Sequence, residues 1–283
     1  MPPLEISVEF FPPQTAEGEA KLEEARRRLT QRLRPAYHSV TYGAGGSTRE
    51  RTFAVVERLH RDGLDVAPHL SCIGATRAQI RDILQQYQAL GVRRLVALRG
   101  DLPSGVRDPG ELRYASELVD FIRAETGDHF WIAVAAYPEY HPQAASALAD
   151  LDAFARKMRA GADCALTQYF YNPDAYAHFV EEAGKRSVTA PIVPGIMPIT
   201  SFARLARFSD ACGAEIPRWI RKKMEAYGDD AESVRAFGLE VVVRLCERLL
   251  QLGAPGLHFY TMNQAEPTLA IAEALGLTAH RSR

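Results

Sequence analysis

Eight short β-rich runs recur along the chain, each followed by a stretch of helical period, and this alternation restricts the fold more than any other feature. The runs are "EISVEF", "AYHSVTYG", "DVAPHLSC", "RRLVALRG", "FWIAVAAY", "CALTQYFY", "PIVPGIM" and "GLHFYTM". Most are near-continuously apolar, as parallel strands covered by helices are. Between them, Leu22, Ala25, Leu29 and Leu33 keep one face of "EGEAKLEEARRRLTQRL", and Ile80, Ile83, Leu84, Tyr87 and Leu90 keep one face of a later segment. "DDAESVRAFGLEVVVRLCERLLQLG" opens with an acidic cap region and stops at Gly253. Strand–helix units at roughly thirty-residue spacing predict an α/β fold, a (β/α)8 TIM barrel of ~250 residues. The competing fold is a doubly wound open sheet, which often carries G-x-G-x-x-G after its first strand. Here "EFFPPQT" follows the first run, the glycine cluster "GAGGST" follows the second, and no Walker lysine motif is present. The longest interval precedes the last run; "ACGAEIPRWIRKKMEAYG" within it predicts an extra helical excursion.

The 283 residues allow one large domain or two smaller ones, and no composition break marks a linker, so a single catalytic domain over 1–283 is expected. Acidic and basic residues nearly cancel to a formal charge of −1, with no basic stripe for nucleic acid. The apolar runs are too short to span a bilayer. The start, "MPPLEISVEF", lacks the pattern of a signal peptide. Cys72, Cys164, Cys212 and Cys246 are scattered without a C-x-x-C pair. Reduced thiols in a cytoplasmic enzyme follow as the expectation.

Barrel active sites gather at the C-terminal ends of the strands. Those ends read Glu9, Thr41, His69, Arg99-Gly100-Asp101, Tyr137 and Gln168, with Asn263 and Gln264 after the last run. Each alone has an ordinary explanation; His69, for instance, suits a hydrogen-bonded structural role. Together they place polar groups on one rim. Glu9 and Asp101 come from the first and fourth runs, nearly opposite in a ring of eight, and would face a flat ligand from two sides. Glu9 stands among Val8, Phe10 and Phe11, and a carboxylate beside apolar rings is expected to resist ionisation, which suits a general acid. At a pKa of ~4.3 only about 0.2% of a glutamate is protonated at pH 7; a rise of ~2 units brings that to roughly 15–20%.

The blocks "VEFFPP", "VTYGAGGS", "PHLSC", "ALRGDLP", "AAYPEYHP", "GADCALTQYFY", "PGIMPI" and "FYTMNQAE" together resemble the bacterial methylenetetrahydrofolate reductases, in the family's order over nearly the whole chain. The resemblance implies a (β/α)8 flavoprotein holding FAD. It would reduce 5,10-methylenetetrahydrofolate to 5-methyltetrahydrofolate, in one-carbon metabolism and methionine biosynthesis, with NADH or NADPH as donor. It also implies a cytoplasmic homo-oligomer, and a chain without the regulatory domain of the eukaryotic members.

By the same resemblance Glu9 is the general acid that opens the imidazolidine ring of the folate, leaving an iminium to accept hydride from the flavin. Asp101 would sit near flavin and pterin, its charge favouring the cationic iminium. The positions matching FAD contacts are Thr41, His69, Arg99, Gly100, Asp101, Tyr114, Tyr137, His141, Ala144, Asp150, Arg156 and Lys157. Gly100 would let the backbone approach the ligand closely. Arg156 and Lys157 would meet the pyrophosphate, although a solvated helix face also explains Arg156. Ala153 stands where relatives carry a polar residue. Gln168 and Phe208 match positions that bind folate and nicotinamide on one flavin face in turn, a ping-pong scheme; as a plain helix residue, Phe208 would pack in the core. Arg204 stands where a glutamine is usual and Gln264 where an arginine is usual. An exchange of one guanidinium between two loops would let Arg204 meet the glutamate tail of the substrate, unless it is simply a solvent-facing residue.

Read without the resemblance, a metal-dependent barrel hydrolase or aldolase stays open, with His69, His258, Asp101 and Glu9 as ligands. Against it, the first run has no His-x-His pair, and His258 falls within its strand instead of at the rim; no metal site is expected. A ligand-binding barrel without catalysis would not need two opposed carboxylates.

Overall fold

Parallel strands form one sheet that curls back on itself. The computed structural model describes residues 4–42, 46–100 and 110–279. The strands are β1 (Glu5–Phe10), β2 (Tyr37–Val40), β3 (Val66–Ser71), β4 (Arg94–Leu98), β5 (Trp131–Ala136), β6 (Cys164–Thr167), β7 (Ile192–Val193), β8 (Gly195–Ile196) and β9 (Gly256–Tyr260). Their order is β7-β6-β5-β4-β3-β2-β1-β9-β8, and every pairing is parallel. The two edge segments, β7 and β8, are halves of the single run "PIVPGIM", so the ring is nearly closed.

Pro194 explains why one expected strand became two. It has no N–H to give to a ladder, so pairing breaks there. β7 then pairs with β6 and β8 with β9, while the Pro194 carbonyl accepts a 3.0 Å hydrogen bond from the His258 N–H. Next to it, a Cβ on Gly195 would stand 2.2 Å from the Thr167 carbonyl oxygen and 2.6 Å from the Tyr260 ring. Only glycine lets the chain pass at this seam.

The helices are α1 (Ala16–Leu33), α2 (Gly46–Arg61), α3 (Arg77–Leu90), α4 (Ala115–Thr126), α5 (Ala147–Arg159), α6 (Pro173–Lys185), α7 (Phe202–Cys212), α8 (Arg218–Tyr227), α9 (Ala231–Gln251) and α10 (Glu266–Ala274). Local chemistry sets their ends. Thr76 and Gln79 form a capping box at α3, and Asp230 accepts from the N–H groups of Glu232 and Ser233 at α9. α8 is the expected excursion before the last strand.

Two cores follow from the alternation of side chains along each strand. Outward residues such as Ile6, Val8 and Phe10 pack with helix faces, including Leu22 and Leu29, in a continuous outer layer. Each such side chain contributes about 1.5–3 kcal/mol on burial. Inward residues Tyr37, Ala67, Val96, Ala133, Cys164 and Leu166 fill the barrel axis. Beside that apolar plug, β1, β2 and β9 turn Ser7, Ser39 and His258 into the interior, all buried. This polar seam leads up to Glu9.

Candidate active site

Glu9 is the next-to-last residue of β1, in register with Ser39 of β2 and Tyr260 of β9. Its half-buried carboxylate points to the barrel mouth. Oε2 lies 3.2 Å from His69 Nε2 and 3.6 Å from His258 Nε2. Neither Nε2 has a hydrogen-bond partner among the described residues. Behind Glu9, His258 Nδ1 is 2.7 Å from Ser7 Oγ, and the Tyr37 ring stacks on the His258 ring at 6.2 Å.

Burial pushes the Glu9 carboxyl up, but the adjoining imidazoles of His258 and His69 outweigh it and hold the pKa at about 2. The expectation of a carboxyl that resists ionisation is therefore overturned for the protein without ligands. Val8 and Phe10 sit on the opposite face of the strand, and the groups that face Glu9 are two imidazoles.

Two adjoining cavities open above the strand ends. The first, about 770 Å3, is walled by Glu9, His69, Arg99, Tyr114, Tyr137, His141, Gln168, Phe208 and Tyr260, among others. The second, about 580 Å3, shares Arg99, Tyr114, Tyr137 and His141, and adds Gly100, Ala144, Asp150, Ala153, Arg156 and Lys157. Thirteen of the expected site residues thus stand on one continuous surface.

The second cavity has an electrostatic end. Lys157 of α5 donates to the Ala135 carbonyl; burial lowers its pKa to about 8, with the Asp150 carboxylate opposing and Arg99 assisting. Asp150 accepts at 2.9 Å from the His141 N–H, whose ring meets Tyr137 edge-on at 4.6 Å. Tyr114, where the cavities meet, is 60% exposed. Gly100 has φ +83°, and a Cβ there would stand 2.0 Å from Ser71 Oγ; glycine is required by the packing of β3 as well as by any ligand.

Other expected residues stand apart. Thr41 is half-buried off the cavity walls, its N–H bonded to the Phe10 carbonyl and its carbonyl to the Thr52 hydroxyl. Arg204 and Gln264 are exposed and line neither cavity. Asp101 lies outside the described residues. Asn263 is a structural clamp, accepting from the Phe11 N–H at 3.1 Å and donating to the Phe11 carbonyl at 2.9 Å. Sequence reasoning weighed His258 only as a metal ligand and passed over Ser7, Tyr260, Arg113 and Gln143. The period-two pattern Glu5, Ser7, Glu9 on one strand and His258, Tyr260 on its neighbour was the signal that would have found the first three. Among the described residues no group of three or more His, Cys, Asp or Glu is arranged to hold a metal ion, and no helix is long and apolar enough to cross a membrane.

Comparison with known proteins follows this geometry. The family model described as methylenetetrahydrofolate reductase matches residues 3–276. Curated relatives called 5,10-methylenetetrahydrofolate reductase include those of Salmonella typhimurium and Escherichia coli, each 41% identical over 97% of this chain and 91% of theirs. That of Buchnera aphidicola is 36% identical over 97% of this chain and 92% of its own. Among solved structures, a Clostridium thermocellum protein that binds two copies of 5-methyl-5,6,7,8-tetrahydrofolic acid superposes with a TM-score of 0.66, at 17% identity, over 96% of this chain and 94% of its own. That likeness establishes the barrel fold.

Proposed function

The chain belongs to the methylenetetrahydrofolate reductase family, and from that premise we propose that it reduces 5,10-methylenetetrahydrofolate to 5-methyltetrahydrofolate, with FAD as carrier and NADH or NADPH as donor. The observation that carries the reading is a carboxylate, Glu9, at the mouth of the barrel and on the wall of a cavity large enough for a flat bicyclic ligand.

The residues present fit a flavin dinucleotide. The two cavities join into one trough with a carboxylate at one end and the cations Arg156 and Lys157 at the other. The exposed ring of Tyr114 between them offers a stacking face. Lys157 and Arg156 would hold the pyrophosphate, and Tyr137, His141 and Gly100 the span between. When bound, FAD supplies the hydride-carrying step between nicotinamide and folate.

The chain's own residues supply the proton. Glu9 would donate to the folate nitrogen that leaves when the imidazolidine ring opens. His69 orients the carboxylate from β3, and Gln168 and Phe208 wall the same cavity as candidate contacts for the pterin and nicotinamide. With a pKa of about 2, roughly one carboxyl in 10^5 is protonated at pH 7, so a proton must reach Glu9 when the substrate binds.

Purified protein should carry a flavin absorption band. Glu9→Gln should still accept electrons from NADH or NADPH into the flavin yet fail to pass them to methylenetetrahydrofolate, as read by stopped-flow on each half-reaction. Equal loss of both halves would remove Glu9 from the acid role, and a colourless protein would remove the flavin.

A further inference from the structure

We propose that Tyr169 is a positioning residue that sets the width of the ligand slot in the first cavity, by tying α7 to the end of β6 through the Ser209 hydroxyl. The inference rests on the reductase reading, in which folate and nicotinamide fill that cavity in turn. It deepens that reading by naming what fixes the distance between two of the cavity walls.

Two pairs of chain neighbours meet there. Gln168 and Tyr169 follow β6, and Phe208 and Ser209 lie on α7. Gln168 and Phe208 wall the cavity, and Tyr169 edges it. The second members of the pairs bond to each other: the Tyr169 hydroxyl oxygen is 3.0 Å from Ser209 Oγ, and both residues are buried. The bond is a crosspiece one residue behind two surfaces that a ligand would touch. Gln168 Oε1 accepts from the Tyr169 N–H at 3.0 Å, which leaves the Gln168 NH2 to donate to a ligand oxygen. Phe208 is half-exposed and offers its ring face.

One side of the crosspiece is fixed and the other is lightly held. The Tyr169 ring packs against that of Tyr171 at 5.9 Å, and the Tyr171 hydroxyl donates to the Met197 carbonyl, just past β8, at 3.3 Å. This side belongs to the barrel. α7 has 11 residues, of which Leu205 and Ser209 are the buried ones, and its N-cap residue, Ser201, makes no side-chain capping bond. A helix with so little buried surface and an uncapped end shifts at small cost. A hydrogen bond held out of water is directional and restrains that shift, whereas Leu205 alone resists sliding little. Burial pushes the Tyr169 hydroxyl far up, so it keeps its proton, and with it the bond, at any working pH.

Positioning and stabilising roles separate when both hydroxyls are removed. Losing one leaves the other buried without this partner, which costs stability. Losing both leaves an apolar contact of nearly the same shape, and much of that cost is recovered. The restraint on α7 is absent in all three cases. Fold stability and ligand affinity therefore part company in the double variant. The bond places walls and moves neither proton nor hydride. Its loss weakens binding in ground and transition states alike, so KM rises while kcat is nearly kept.

The test compares wild-type holoenzyme with Tyr169→Phe, Ser209→Ala and the double variant. Calorimetry reads the binding of 5-methyltetrahydrofolate, steady-state kinetics read KM and kcat for methylenetetrahydrofolate and for NADH and NADPH, and denaturant midpoints read stability. Tyr169→Phe keeps the ring and its packing on Tyr171, which guards against misfolding. Each single variant should bind the folate about three- to tenfold more weakly and raise KM by a similar factor, with kcat within about twofold of wild type. The double variant should be no weaker in affinity than the weaker single, because the two residues act through one bond. Its denaturant midpoint should nevertheless move back toward wild type. Affinity that recovers together with stability, or single variants that bind like wild type, would reduce the bond to a structural one and overturn the proposal while leaving the reductase reading intact. Failure of wild type to bind the folate at all would overturn both.

Discussion

On β1, Ser7 and Glu9 turn inward while Val8 and Phe10 turn outward, so the aromatic neighbours that flank Glu9 in the sequence lie across the sheet from its carboxylate. Its electrostatic environment comes instead from His69 and His258, far away along the chain. This makes Glu9 a stabilising group with a defined pH window. Its folded pKa of about 2 lies below the ordinary 4.5, so its contribution is present above 4.5 and is lost as pH falls through 2. The full difference is about 3 kcal/mol. Denaturant midpoints measured between these pH values should show the stability gap between wild type and Glu9→Gln closing by about that amount toward acid. Parallel curves would mean that the two histidines do not hold the carboxylate. The existence and position of Glu9 were legible in "SVEFFPP"; its ionisation was not, because charge partners brought together by strand pairing leave no trace in local sequence.

At the scale of elements, the alternation of strand and helix was legible because apolar runs and helical faces are local patterns. Pro194 in "PIVPGIM" was equally visible, yet its effect, a strand cut into β7 and β8, depends on which neighbour each half pairs with. α5 shows a pattern that carried through: Asp150 and Lys157, seven residues apart, share one cavity wall. Lys157 has its pKa lowered to about 8 by burial, so its positive charge is present below that value and fades above it. Reconstitution of apoprotein with FAD should therefore weaken between pH 7 and 9. Lys157→Arg should flatten that dependence, and Lys157→Met should bind about ten- to a hundred-fold more weakly at pH 7, the loss of one charge-assisted hydrogen bond. An affinity indifferent to pH in wild type would place the pyrophosphate elsewhere.

Across the whole molecule, closure of the ring depends on the seam between β6, β8 and β9. Gly195→Ala would drive a methyl group into the Thr167 carbonyl and the Tyr260 ring, and should lower stability by about 3 kcal/mol. Gly184→Ala on α6, where nothing lies near a new methyl, should instead gain about 0.5–1 kcal/mol. Chemical denaturation of the two variants separates a packing constraint from a mere loss of chain freedom; similar shifts in both would remove Gly195 from the seam. The barrel was readable from the sequence because its units repeat, whereas the polar seam was not, because Ser7, Glu9 and His258 meet only where the first strand pairs with the last. Ser7 and His258 are in contact yet stand 251 positions apart. During synthesis, β1 leaves the ribosome first and β9 last of the strands described. Until β9 docks, Glu9 has no partner on that side, and contacts of such long range form slowly. The proposed acid is thus present from the first seconds of a nascent chain's life, but its surroundings are completed only by the final strand, so that a stalled or clipped product should be inert.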